Sequence, residues 1–482
     1  MASNVKTLRS SITDGIALVP RYRERQLSSL HRTLVAKRQE LLQGLVDALN
    51  FTRNEALAEY LQVLNSIKTY HATCDPLSCN ETEYAIARSE DYLDRRMPAG
   101  YVHVIPADES LYNTIVPVAA AITAGNVVLL QRSSRKTPLA SQMEHLLTEA
   151  LSVETYACVE RDPFDPKYQQ SRGVVFEGKS APSAASSTRR ICCPNWRVAA
   201  VVDRSADIKS AARDLVRARF SFGGLAAYAP DLILVNDFKI KEFCEAVADA
   251  GLRYLSQTFD ASVTKQSEKS ANGSEKRSEM EQNGTILMSG NRGKVVLLHS
   301  NTSVAFEGRL NAPTLLVLPV SSMDDAIDLL NKSEYPLAAN YVYAAPASAK
   351  YVTQFIRSAT AFVNHVPVEL LIGGSASTGS QPSAHPRYTA EMFSQPSPIE
   401  LRASERSRAL TSLVMLSDTK QQRKFEKALD ASLTPVKEPW GPMFGFFEQG
   451  FLFNAGVILS SVVVGTVCGI KYGYPAIVSS FQ

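Results

Sequence analysis

An excess of charge of either sign is what the sequence most plainly lacks. Its 51 Lys and Arg against 48 Asp and Glu leave a net charge of +3 over 482 residues. That balance gives no electrostatic reason to expect a nucleic-acid partner. Nor is there a basic helix with base-reading residues, a finger spacing or an RRM-type aromatic motif. The opening MASNVKTLRSSITDG lacks the apolar core of a secretory signal, which predicts that the bulk of the chain is cytosolic. Seven cysteines, an odd number without regular spacing, argue against a disulfide framework. His71, Cys74 and Cys79 are ligand types close together, but no second pair follows. They read either as a metal site or as ordinary cysteines after a helix, and no metal site is assigned. No short internal repeat and no G-x-G-x-x-G phosphate loop is present.

What is there is ordinary globular material, 45% apolar and 21% charged, long enough for two domains and appendages. Residues 18–71 are helical by pattern: Leu27, Leu30, Leu34, Leu41, Leu42 and Leu45 recur every three or four positions. Thr52 and Glu55 make a capping box for a second helix. This pair of helices packs on its own domain or presents a face to a partner. From Asp91 on, helix and strand patterns alternate. A strand ends at Ile105, a helix and a Gly125-Asn126 turn lead to a strand ending near Leu130, and a helix covers 139–151. Strands follow at Gly173–Phe176 and Val198–Val202. After Phe220–Val235 come a helix at 239–255, strands at Lys294–Leu298 and Thr314–Val320, and further alternation to Asn364. Such succession predicts a parallel αβ sheet. Lys179–Ser187 reads as loop, and Lys265–Gly284 as a mobile polar insertion.

The end of the sequence differs. Phe451–Ile470 is a 20-residue run without one charge, bracketed by Glu448 and Lys471. That length suits a bilayer-spanning helix, with Tyr472 and Tyr474 at the interface. The alternative is a buried helix or strand pair. Arg423, Lys424, Lys427 and Lys437 upstream, against Lys471 beyond, put the large N-terminal part on the cytosolic side of a single-pass anchor.

Several segments in register resemble the aldehyde dehydrogenase superfamily, nearest its fatty-aldehyde branch, some members of which carry a C-terminal anchor. They are RYRERQLSSLHRTL, PAGYVHVI, NTIVPVAAAITAGNVVLLQRSS, RGVVFEGKS, APDLILV, NAPTLLVLPVSSMDDAIDLLNKSEYPLAANYVYA, FVNH, LIGG and RYTAEMF, between Arg21 and Phe393. The resemblance implies an α/β fold with a Rossmann-like cofactor-type domain (1–205) and a catalytic-type αβ domain (206–395, with the polar insertion 265–284). A linker or arm (396–446) used in assembly and a transmembrane helix (447–471) follow. It also implies a reaction: a cysteine thiolate attacks an aldehyde, hydride passes to NAD or NADP, and glutamate-activated water releases the acid.

The positions that carry this chemistry are substituted. Counting back from Ala229-Pro230-Asp231, the nucleophile position holds Ala227, whose methyl group cannot attack anything. The general-base position holds Cys193. The oxyanion position falls on Asp108 or Glu109, where a carboxylate repels a developing alkoxide. Of the positions that would meet NAD or NADP, the adenosine-ribose lysine is Gln131, with Arg132 and Ser133 beside it. The Gly-Ser that opens a helix is Gly178-Lys179, followed by a segment that starts helices poorly. The nicotinamide-ribose glutamate is Arg309. Pro117, Gly125, Asn126, Pro230, Pro313 and Asn364, which serve turns and packing, remain.

One rescue is open: Cys193 or Cys192 attacks from the opposite wall, with Arg197 as the neighbouring positive charge in sequence. The competing reading is an inert buried pair. For the whole chain the leading expectation is a membrane-anchored relative with impaired or absent dehydrogenase activity. It would act as a homo- or hetero-oligomeric partner, a scaffold or a binder of an apolar aldehyde-like ligand. The rival is a divergent NAD(P)-dependent enzyme for fatty or pathway-specific aldehydes. A third reading is a mere surface platform for oligomers.

Overall fold

The computed structural model describes residues 2–133, 137–180, 189–224, 226–255, 284–290, 292–299, 309–310, 312–415 and 446–468, with single positions between 423 and 436. The tract 265–283, most of the 179–187 loop and the interfacial Lys471, Tyr472 and Tyr474 lie outside these residues. The chain forms two compact units, Met1–Arg402 and Ala403–Gln482.

The first unit opens with helices. Ala2–Asp14 is one that apolar periodicity did not announce. Pro20–Ala36, Arg38–Leu49 and Arg53–Thr73 follow. The Thr52 hydroxyl accepts from the Glu55 amide at 3.1 Å while the Glu55 carboxylate accepts from the Thr52 amide at 2.8 Å. This is the expected capping box, a cap of a kind that contributes about 1 kcal/mol. The six periodic leucines are all buried, so these helices pack on their own domain.

A short strand, β1 (Arg96–Pro98), precedes β2 (Tyr101–Ile105), β3 (Val127–Gln131), β4 (Tyr156–Val159), β5 (Gly173–Ser180) and β6 (Arg189–Pro194). The five from β2 to β6 form one parallel sheet in the order β4-β3-β2-β5-β6. Helix Leu111–Thr123 joins β2 to β3, and Pro138–Ala150 joins β3 to β4. Strand order reverses between β2 and β5, so the crevice at their C-terminal ends is the point where a sheet of this kind takes a ligand. The strand at 173–176 runs longer than its apolar pattern suggests, and β4 and β6 carried too little of that pattern to be anticipated.

Strands β7 (Val198–Val202), β8 (Leu232–Asn236), β9 (Gly284–Gly290), β10 (Gly293–Leu298), β11 (Thr314–Val320), β12 (Ala339–Tyr343) and β13 (Ala361–Val363) make the second sheet. Its order is β13-β12-β7-β8-β11-β10-β9, parallel except for β9 on β10. All five residues of β7, β8 and β12 are buried, the mark of strands covered on both faces. The chain crosses from the first sheet to the second between Pro194 and Val198, one strand before the 205/206 division. β14 (Ser394–Pro396) pairs antiparallel with β1.

The retained turn residues shape backbone. Gly125 has φ +87°, and the Asn126 carboxamide accepts from the Gly100 amide and donates to the Ala121 and Phe393 carbonyls. Asn364, at φ +59°, exchanges two hydrogen bonds with the Ala344 backbone. In the second unit, helix Phe446–Cys468 includes Glu448–Val467, long and apolar enough to cross a membrane by length and composition, with none of its side chains covered.

Candidate functional site

The turn before β8 is built by the end of helix Ile208–Phe220. Phe222, Gly223 and Gly224 then take positive φ. A Cβ on Gly224 would lie 2.5 Å from Pro313 Cβ, so only glycine passes here. Ala226–Asp231 runs from this turn into the sheet. The Tyr341 hydroxyl donates to the Tyr228 carbonyl at 2.9 Å, and the Ala376 amide to the Tyr228 hydroxyl at 2.9 Å. Arg309 lays its guanidinium on the backbone carbonyls of Ala226, Ala227 and Ala229. Ala227 thus lies in this turn, and Arg309 is spent on the turn itself.

Under the turn, Arg219 Nη1 meets Asp231 Oδ1 at 2.8 Å, with both side chains almost wholly buried, and Arg219 Nη2 reaches the Ala312 carbonyl. The Val198 amide donates to the other Asp231 oxygen at 3.4 Å. Burial lowers the Arg219 pKa to about 10 against the pull of Asp231, so the guanidinium stays charged at neutral pH. Arg197, 5% exposed, engages none of its three nitrogens.

Cys193 is the penultimate residue of β6, fully buried. Burial pushes its thiol up to about 12, opposed chiefly by the charge of Arg387, so at neutral pH it is a thiol rather than a thiolate. The positive neighbour is thus Arg387 and not Arg197, a correction that pairing and not proximity in sequence decides. Cys192 is partly buried, its sulfur 4.0 Å from Glu177 Oε2. Arg387 was the residue missed. Its guanidinium donates to the carbonyls of Glu369, Leu370, Ile372, Gly374 and Pro382 and stacks 5.3 Å from the Tyr228 ring centroid. It sits in the RYTAEMF segment, where nothing local marks it as a pocket residue.

At the crevice of the first sheet, Asp108 Oδ1 accepts from the Ser110 amide at 2.9 Å and from Asn113 Nδ2 at 2.8 Å. Asn113 Oδ1 in turn accepts from the Gly374 amide. Asp108 is therefore a local cap. Glu109 reaches across to the loop after β3, accepting from Ser133 Oγ at 2.6 Å and Thr137 Oγ1 at 2.5 Å. Gln131 ends β3 opposite Val159 of β4. Gly178 lies inside β5, and a Cβ there would fall 2.5 Å from the Ala107 amide nitrogen. The loop after β2 thus lies against the backbone of β5 itself. Residues 181–188 separate β5 from the parallel β6.

Glu59, on helix Arg53–Thr73, is buried and accepts from the Tyr112 amide at 2.8 Å at the start of helix Leu111–Thr123. Burial pushes its carboxyl up to about 8, which that hydrogen bond opposes and the charge of Asp108 reinforces. His71, once a candidate ligand, lies 3.0 Å from Glu24 and 3.1 Å from Ser28.

The family model for "Aldehyde dehydrogenase family" matches residues 15–155 and 197–396. Among curated proteins, the chain is 24% identical to the dimeric NADP-preferring aldehyde dehydrogenase of Mus musculus, over 82% of this chain and 93% of that one. It is 21% identical to aldehyde dehydrogenase family 3 member A2 of Mus musculus, over 83% and 88%. Among solved structures, substrate-bound AldH of Staphylococcus aureus superposes with a TM-score of 0.66 at 16% identity, covering 84% of this chain and 94% of that one. The glyceraldehyde-3-phosphate dehydrogenase GapN of Methanocaldococcus jannaschii, complexed with NADP, gives 0.63 at 14%, covering 83% and 93%. The likeness to those structures is one of fold. The stretch left unmatched by the family model, 156–196, holds β4, β5 and β6.

Proposed function

This chain belongs to the aldehyde dehydrogenase family, and we propose that it is a membrane-anchored member that has lost the family's reaction and acts by binding or assembly. The observation that carries the reading is the use made of Arg309. At the nicotinamide-ribose position implied by the resemblance, a cation is committed to the carbonyls of Ala226, Ala227 and Ala229. It locks the turn in which no nucleophile remains.

The residues present do not fit a nicotinamide dinucleotide. The switch-point crevice is narrowed by the approach of Gly178 to Ala107, and on the other side of β2 Glu109 ties its loop to Ser133 and Thr137 after β3. Cys193 offers no substitute nucleophile, because its thiol is buried and its thiolate disfavoured. Helix Phe446–Cys468 supplies the anchor in this reading, and the β1–β14 ribbon a candidate arm for a homo- or hetero-oligomer.

The test is NAD(P)H formation by the full chain in neutral detergent, with NAD+ and NADP+ offered separately over a panel of short and long aldehydes. No turnover above buffer is expected. Aldehyde-dependent turnover that is lost in a Cys192→Ser/Cys193→Ser double variant would instead establish a divergent enzyme.

A further inference from the structure

A buried arginine without a partner needs a reason. A guanidinium stays charged in proteins, and removing it from water without a counter-charge is costly. Arg197 is 5% exposed, and Nε, Nη1 and Nη2 all go without a hydrogen bond. Its nearest carboxylate cannot serve it. One oxygen of Asp231 is held by Arg219, and the other faces the amide of Val198, the residue after Arg197. The charges of Asp231 and Arg309 both act on Arg197, the second repelling it. Three guanidiniums, those of Arg197, Arg219 and Arg309, thus gather at the N-terminal edge of the second sheet around one carboxylate. On the adjoining strand the Ala338 amide meets the Arg197 carbonyl at 2.8 Å. Two residues on, Asn340 is fully buried with neither its Nδ2 nor its Oδ1 engaged.

We propose that Arg197 anchors a buried anion site at this edge, and that its ligand is a carboxylate. The free fork of a guanidinium offers parallel N–H groups that match the two oxygens of a planar carboxylate. Next door a guanidinium already meets a carboxylate, through one N–H of Arg219 on Asp231 Oδ1. A carboxylate also supplies the one negative charge that the unpaired Arg197 lacks. The inference rests on the reading above, that this chain binds rather than turns over, and names the chemistry it binds.

The experiment titrates the full chain in neutral detergent with sodium acetate, sodium butyrate and sodium phosphate at constant ionic strength, following the melting temperature. A saturable rise with acetate and butyrate is expected, with apparent affinity at least about tenfold weaker for phosphate. Arg197→Met should abolish the carboxylate-dependent rise while melting no lower than the parent without ligand, because an unpaired buried charge has been removed. Arg197→Lys, which keeps the charge but not the fork, should retain only part of the rise. No rise with either carboxylate overturns the proposal, as does an unchanged rise in Arg197→Met or a larger response to phosphate. NAD(P)H formation is followed on the same samples. Turnover there would sink the non-enzymatic reading and leave the titration to be judged by itself.

Discussion

The two sheets have departed from their relatives in different ways. Around the second sheet the family match is unbroken from 197 to 396, and the change is one of side chains. Alanine stands at Ala227, and Arg309 binds the turn it lies beside. Around the first sheet the match stops at 155, the unmatched 156–196 holds β4, β5 and β6, and Gly178 of β5 lies against Ala107. A missing side chain can be put back by one substitution. In the proposed reading a closed crevice cannot, and the first sheet sets the limit on any recovery of chemistry.

Four measurements would break or sharpen that contrast. The largest effect is expected at the second sheet, where Arg219→Met leaves the buried Asp231 carboxylate without its cation. Urea denaturation should show a loss of about 3–5 kcal/mol; a loss under about 1 kcal/mol would mean that side chains there do not hold the turn. At the first sheet, Gly178→Ala drives a methyl group into the Ala107 backbone, and a cost of about 3 kcal/mol is expected. A neutral result would show that the crevice opens freely and that the contrast is overstated.

Glu59 comes next, in a helix that packs beside the first sheet. Its folded pKa, about 8, lies above the ordinary 4.5, so the folded state holds the extra proton between those values. The stability this neutral acid confers is full below about pH 4.5 and is lost as pH rises toward 8. Glu59→Gln should therefore be the more stable form at pH 8, by about 2 kcal/mol, and no more stable than the parent at pH 4.5. Equal pH slopes for the two proteins, measured by denaturation at both values, would refute it. The smallest effect is none at all. Ala227→Cys puts a thiol at the nucleophile position that the resemblance implies, and NAD(P)H formation is expected to stay at background, because the proposed reading gives the first sheet no cofactor. Turnover by that variant would collapse the distinction between the two sheets.

Much of this was legible in the residues. Periodic leucines, the Thr52–Glu55 cap and the alternation after Asp91 carry their information within a few positions, so they predict local structure well. Ala227 was legible because Ala229-Pro230-Asp231 fixes the count to it. What escaped depends on who meets whom. Arg387 gathers carbonyls from Glu369 to Pro382 and lies near Cys193, and no local pattern announces such a cradle. Gly178 and Ala107 are neighbours only because β5 pairs with β2. The strands β4 and β6 are short, mixed in polarity and lie where the family pattern lapses. The Arg219–Asp231 pair was invisible for a related reason, since a charged residue late in an amphipathic helix reads as solvated until its burial is known.

The order of strands in the second sheet has a consequence for biosynthesis. β7 finds β8 within some forty residues, but its other edge waits for β12, which begins at Ala339. Until the ribosome has delivered that segment, the sequence VAAVV presents a bare, wholly apolar strand edge to the surroundings. Late closure of this kind slows folding and exposes the nascent chain to aggregation. Chaperone dependence during translation should therefore be greatest while residues between β8 and β12 are being added, and should fall once Tyr343 has emerged.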